Sequence, residues 1–351
     1  MTNETEMYVL TETGAPLEKI TVEMAAVGEH DCLVDILRTS VCGTQLGEIR
    51  GTRGRDRFLP HCMGHEGVGI VRSVGTKMDR LKPGDHVYLT WIPCDSNPSD
   101  GKTYLCKSTG GLINSGPVVS FARSVVCSGN RLFPISQEIV QSGASYDAFT
   151  PLGCAYATAF GMVHRTANMT EEMKSKPVAV VGVGGVGLAT SIFLGLAGFE
   201  NIVIFDSNVD RKDKVLHLLN TMKICSAFDG QECSRGAGFS RVFECSGTVS
   251  GTEFSYAITS TAGLCIFSGN IPYGSKISID PFDFLLGKRV VGAGRDNSKP
   301  AEDFPRIEQL VLANLPVFQS IISPNYEFEN LNSALFDFEF MSVQRPVIRC
   351  D

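Results

Sequence analysis

Val178-Ala179-Val180-Val181 runs straight into Gly182-Val183-Gly184-Gly185-Val186-Gly187, then Leu188-Ala189-Thr190-Ser191-Ile192-Phe193-Leu194, and the reading of this stretch decides the fold. The β-branched run predicts a buried strand. The glycines form a complete G-x-G-x-x-G, and the apolar residues after them predict a helix. A second apolar run, Ile202-Val203-Ile204-Phe205, ends on Asp206. In such a unit Gly182 serves the tight turn, Gly184 and its neighbours Gly185 and Val186 bring backbone to a pyrophosphate, and Gly187 lets helix pack close on strand. The helix N-terminus faces the phosphates with free N–H groups. Asp206, placed to take ribose hydroxyls, would repel a 2′-phosphate and so favours NAD over NADP, while Arg211 just beyond it points the other way.

Competing readings of the glycines fail. A kinase glycine loop needs catalytic-loop and metal-binding motifs downstream, and none follows. Asp100-Gly101-Lys102-Thr103 resembles the end of a P-loop, but Ser96 stands where that loop needs its upstream glycine. Residues 178–199 are long enough for a membrane span, yet their glycines and the strand ending on Asp206 suit a buried βα unit. Composition agrees: 351 residues, 43% hydrophobic and 20% charged, describe a globular chain of about two domains. A net charge of −7 gives no electrostatic case for nucleic acid or an anionic membrane. The acidic, polar residues 3–6 are unlike a targeting peptide, which makes the cytoplasm the expected location. Twelve cysteines are scattered rather than framed, so they read as thiols or metal ligands; Cys32, Cys245 and Cys265 lie in apolar runs as small buried hydrophobes.

Along the chain, residues 8–150 are β-rich, with apolar runs at 32–37, 68–71 and 86–89 separated by turn clusters. Near residue 150 strands and helices begin to alternate. Strands are expected at 241–245, 264–267 and 289–291, helices at 253–261 and 301–313, and a last strand at 346–349. The expected class is α/β: a β-rich domain, a doubly wound parallel-sheet domain, and a return segment.

Upstream of the glycines lie Cys42 in Val41-Cys42-Gly43-Thr44, His65 in Gly64-His65-Glu66-Gly67, and Cys154 in Leu152-Gly153-Cys154-Ala155. Two thiolates, an imidazole and an open fourth position suit a catalytic zinc, but spacing alone does not bring these three together. Cys-Gly-Thr, Gly-His-Glu-Gly-Val-Gly, Lys-Pro-Gly-Asp and Gly-Val-Gly-Gly-Val-Gly occur in an order that resembles the zinc-dependent alcohol dehydrogenase branch of the medium-chain dehydrogenase/reductase superfamily. The resemblance covers essentially the whole chain. It implies a GroES-like catalytic domain at 1–155 and 297–351, and a Rossmann NAD-binding domain at 156–296. It implies one catalytic zinc on Cys42, His65 and Cys154, with Glu66 beside the metal as supporting carboxylate or transient ligand. It assigns Thr44 to carry away the alcohol proton, Trp91 to the substrate pocket and Arg345 to the pyrophosphate. Trp91 as a plain core residue and Arg345 as a surface residue remain open. A homodimer or homotetramer is the assembly the resemblance implies.

The departures from that family carry information. Relatives hold a structural zinc with four close cysteines, where residues 94–106 here contain only Cys94 and Cys106. No structural zinc is expected, and both read as free thiols. Gln45 replaces a common aspartate that orients the zinc-binding histidine. Gly47 replaces a relay histidine, leaving the proton path past Thr44 to cofactor ribose and water. Arg53 and Arg55 can meet an anionic substrate or form a solvated loop.

The leading expectation is hydride transfer between an alcohol or polyol, or the matching carbonyl, and NAD(H). The alternatives are a zinc-free NADPH-dependent reductase of the same superfamily and a non-catalytic nucleotide-binding redox sensor. The three ligand types and Asp206 argue against the first, and retention of every primary zinc ligand against the second.

Overall fold

The computed structural model describes residues 3–230, 238–294, 297–322, 325–340 and 344–351. The chain divides into two compact units, Met1–Cys154 with Pro300–Asp351, and Ala155–Lys299.

In the first unit the strands Glu4–Leu10, Glu18–Glu23, Thr103–Cys106, Leu112–Asn114 and His61–Cys62 close into a barrel, in that order. A seven-stranded sheet runs Leu132–Pro134, His86–Leu89, Gly67–Val74, Asp31–Ser40, Val347–Arg349, Tyr326–Glu327, with Ser124–Ser128 also paired to Asp31–Ser40. The period-two pattern of a strand turns Cys32, Val34 and Ile36 into one core with Met7, Val9, Phe121 and Phe328. The return segment joins this core through Val347–Arg349, antiparallel to Asp31–Ser40. The helix Pro300–Ala313 is tied in by Glu308, whose buried carboxylate accepts from the Tyr88 hydroxyl (3.0 Å) and the Ser136 N–H (3.0 Å).

Residues 94–106 are held without any cluster of cysteines. Arg131 donates to the Trp91 carbonyl and to Ser99 Oγ (2.8 Å), and Asn130 Nδ2 donates to the Asn97 carbonyl (2.6 Å). Arg80 pairs with Asp95 (3.3 Å) and Lys102 with Asp31 (2.9 Å). The segment then enters the barrel as Thr103–Cys106, hairpinned to Leu112–Asn114. Cys94 and Cys106 are both thiols, and Cys106 Sγ lies 3.3 Å from Ser108 Oγ.

The second unit is a parallel six-stranded sheet in the order Ser226–Asp229, Asn201–Phe205, Val178–Val181, Phe239–Glu244, Thr259–Phe267, Arg289–Gly292. Counted along the chain this is 3-2-1-4-5-6, the dinucleotide-binding order. Residues 178–199 resolve into strand, glycine loop and the helix Gly185–Leu196, whose Leu188, Ala189, Ile192 and Phe193 are fully buried. No helix among the described residues is long and apolar enough to cross a membrane.

One expected helix is displaced. It spans Val249–Ile258 rather than 253–261, because the Thr248 side chain caps it by accepting from Gly251 N–H (3.0 Å). Thr259–Thr261 belong instead to the next strand, where β-branched side chains pack well. Cys32 and Cys265 are buried as expected, whereas Cys245 is only half-buried.

Burial raises the Glu308 carboxyl above its ordinary value of 4.5. The folded chain therefore binds that proton more tightly than the unfolded chain, so Glu308 subtracts stability as pH rises through the raised value. Replacing it by Gln keeps an acceptor for Tyr88 and Ser136. Glu308→Gln should flatten the pH dependence of unfolding above 4.5 and gain stability toward neutrality, read by urea titration across pH.

Candidate active site

Cys42, His65 and Cys154 come from separate places in the first unit. Cys42 closes the connection after Asp31–Ser40 and is the N-cap of the helix Gly43–Ile49. His65 leads into Gly67–Val74, after a turn in which Gly64 takes φ +90°. Cys154 ends the 3₁₀ stretch Tyr146–Gly153. Its approach depends on Gly153, where a Cβ would stand 2.1 Å from the Leu89 carbonyl oxygen. Thr90 Oγ1 donates to the Gly153 carbonyl (2.7 Å) and fixes the same contact.

The ligand atoms of the three residues lie within 4.8 Å of one another, and His65 Nε2 is 3.3 Å from Cys154 Sγ. A tetrahedral zinc with its usual bond lengths separates such donors by about 3.5–3.8 Å, so the set fits zinc with one position left over. The thiols already lean that way. The hydrogen bond from Cys154 pushes Cys42 well below the ordinary thiol range and holds Cys154 well above it. Burial alone would lower His65, but the hydrogen bond and charge of Cys42 outweigh it and raise the imidazole.

Glu66 is fully buried against this cluster. One of its oxygens takes the Ser40 hydroxyl and the Arg345 guanidinium, and the other, Oε2, has no hydrogen-bond partner among the described residues. Burial raises the Glu66 carboxyl, opposed first by the charge of Arg345. Arg345 is thus not a surface residue: it is 2% exposed and paired with Glu66. Gln45, 1% exposed, accepts from the Cys42 N–H (3.0 Å) through Oε1 and touches His65 Nδ1 through its amide nitrogen. With its oxygen held by the Cys42 N–H, the amide turns its nitrogen to the ring and adds no charge to it. Thr44 Oγ1 lies 3.8 Å from Cys42 Sγ. Trp91 is half-buried, two residues beyond His86–Leu89.

In the second unit the glycines divide their work as their spacing predicts. Gly182 has φ +82°, and a Cβ there would meet Ser246 Cα at 2.5 Å. A Cβ on Gly187 would stand 1.9 Å from the Gly182 carbonyl oxygen. Gly184, the N-cap of the helix that Gly185 and Val186 begin, has nothing within 4 Å of its Cβ position, which leaves open backbone at a helix N-terminus. Asp206 closes this loop by accepting from the Val183 N–H (2.7 Å) and the Asn208 N–H (2.8 Å). Arg211 forks onto the same carboxylate through Nε (3.1 Å) and Nη2 (2.7 Å). The two residues read as opposing signals in sequence are therefore one ion pair.

Residues 28–137 match the alcohol dehydrogenase GroES-like domain. Class-3 alcohol dehydrogenase of Myxine glutinosa is 27% identical, with 97% of this chain and 95% of that protein covered. S-(hydroxymethyl)glutathione dehydrogenase of Paracoccus denitrificans is also 27% identical, covering 93% and 95%. Among solved structures, benzyl alcohol dehydrogenase of Acinetobacter calcoaceticus shares the fold with a TM-score of 0.82 at 20% identity, over 99% of each chain. Over nearly its whole length the chain is thus similar to alcohol dehydrogenases, and residues 28–137 carry their GroES-like domain.

Sequence reading missed Ser40, which donates to Glu66 from the end of a strand with no motif around it. It missed Glu48 as well, although the helix that begins at Gly43 sets that residue one turn beyond Thr44.

Arg345→Met would leave Glu66 buried without a counter-charge and should destabilise the fold by about 3–5 kcal/mol. Adding Glu66→Leu to it should recover most of that loss, as measured by denaturant unfolding of both variants; a double variant no more stable than the single one would mean the two residues act separately.

Proposed function

We propose that this protein is an NAD-dependent dehydrogenase that oxidises an alcohol or polyol, or reduces the matching aldehyde or ketone, with one zinc held by Cys42, His65 and Cys154. The observation that carries the reading is the meeting of those three donors within 4.8 Å, with the Thr44 hydroxyl 3.8 Å from Cys42 Sγ. When bound, zinc supplies Lewis acidity that makes an alcohol proton easy to remove at neutral pH.

The chain's own residues do the rest. Cys42 and Cys154 hold the ion as thiolates and His65 holds it through Nε2. Gln45 fixes the plane of the His65 ring through Nδ1, and Glu66, steadied by Ser40 and Arg345, supports the metal's surroundings. Thr44 accepts the alcohol proton at Oγ1. Trp91 shapes part of the substrate pocket. Gly182, Gly184, Gly185, Val186 and Gly187 bind the pyrophosphate through backbone N–H groups. A bound nicotinamide would supply the hydride acceptor for the alcohol carbon.

The relatives named above act, by their names, on alcohols or an S-hydroxymethyl thiol adduct, and this supports the same CH–OH chemistry here. NAD rather than NADP is supported by the Asp206 carboxylate at the end of Asn201–Phe205. A homodimer or homotetramer is supported by the outer strand Arg289–Gly292, which pairs on one side only among the described residues, and by the exposed Phe282 and Leu285 beside it.

A panel of primary, secondary and polyol substrates with NAD and NADP tests the reading, with zinc per chain measured on the same preparation. Alcohol-dependent NADH formation with about one zinc is expected. Cys154→Ala should lose both turnover and metal while still binding NAD; activity retained without zinc would point to the zinc-free reductase. Asp206→Ser should release Arg211 and shift kcat/KM from NAD toward NADP by at least about tenfold, a change of roughly 1.4 kcal/mol; an unchanged ratio would remove the ribose role.

A further inference from the structure

Position 47 has no side chain, and the structure shows what fills its place. A Cβ on Gly47 would meet Thr52 Oγ1 at 3.2 Å and Arg53 Cγ at 3.3 Å, so this wall is closed by the loop that follows the helix. The next residue, Glu48, is different in kind. In the helix Gly43–Ile49 it stands four residues after Thr44, so the two share one face a single turn apart. Glu48 is half-buried, and its carboxylate makes no hydrogen bond or ion pair with any described residue.

The groups around Glu48 explain how a half-buried carboxylate stays chargeable there. Burial raises its carboxyl, while His65, Arg53 and His61 pull it down and Asp56 pushes it up. His61 cannot take the proton-carrying part itself. Its Nε2 is engaged by Asp56 Oδ2 (2.7 Å) and its Nδ1 by the Cys62 carbonyl (3.1 Å). That leaves one uncommitted proton acceptor within a helical turn of Thr44.

We propose that Glu48 is the outer proton acceptor of the dehydrogenase, taking from Thr44 the proton that Thr44 removes from the alcohol and passing it to solvent. The proposal rests on the dehydrogenase reading above. In alcohol oxidation the Thr44 hydroxyl accepts the substrate proton as its own passes, through solvent water between the two side chains, to the Glu48 carboxylate. The carboxylic acid so formed then releases that proton to water. No electrons move in this relay. In carbonyl reduction the same steps run in reverse. A carboxyl raised by burial exchanges protons nearer neutrality than an exposed glutamate, which suits a relay group.

The test uses zinc-loaded enzyme and its best alcohol. Wild-type turnover tests the dehydrogenase reading, whereas the ratio of variant to wild type tests Glu48. Glu48→Gln should keep full zinc and NAD affinity but lower kcat for alcohol oxidation by about a hundredfold, within the range of a lost acid–base group. It should also delay proton release, followed with a pH indicator, relative to the wild type. Glu48→Asp should restore part of the rate. Glu48→Ala should regain rate in proportion to added acetate, a response that a merely structural residue would not give. Full activity in Glu48→Gln with an unchanged pH–rate profile would overturn the proposal. So would loss of zinc in that variant, or slowing that neither Asp nor acetate relieves.

Discussion

The structure turns on a buried cluster of charged groups. Cys42, Cys154 and Glu66 are all buried in one place, and Arg345 and His65 are the cationic groups beside them. Removing a carboxylate from water costs several kcal/mol even after relaxation, and it is recovered only by close, well-aligned partners. Arg345 answers Glu66, and one proton shared between the two thiols answers part of the rest. A divalent cation held by Cys42, His65 and Cys154 would take the place of that proton and meet both sulfurs. The orphaned Glu66 Oε2 follows from the same shortage of partners.

Bringing those groups together is the work of backbone that tolerates no side chain. Gly153 lies against the Leu89 carbonyl and so sets Cys154 beside His65. The return segment supplies Arg345 from 279 residues beyond Glu66, after which the chain pairs with the strand that ends two residues before Cys42. In the second unit Gly182 and Gly187 play the same part for the helix N-terminus, and Asp206 ties the loop to the neighbouring strand through Val183. Both sites are therefore positioned by strand ends and close backbone contacts.

Legibility in the sequence followed the range of the forces. The glycine loop, its strands and Asp206 lie within one stretch, so local periodicity and spacing expose them. Cys42, His65 and Cys154 are joined only by tertiary contacts, and their grouping was readable solely through the resemblance to a known family. The helix boundary at Val249 was missed because one capping threonine outweighed the apolar pattern. Pairwise electrostatics were the least visible: nothing local says that Arg211 forks onto Asp206, or that Arg345 lies against Glu66. The Gln45 amide touches His65 Nδ1, so a neutral group keeps the ring in place.

X-ray absorption at the zinc edge on the zinc-loaded protein tests the central claim most directly. Two sulfurs at about 2.3 Å with two lighter atoms at about 2.0–2.1 Å are expected, one of the latter from His65 and one exchangeable. A shell of four sulfurs, or one with no sulfur at all, would contradict the account.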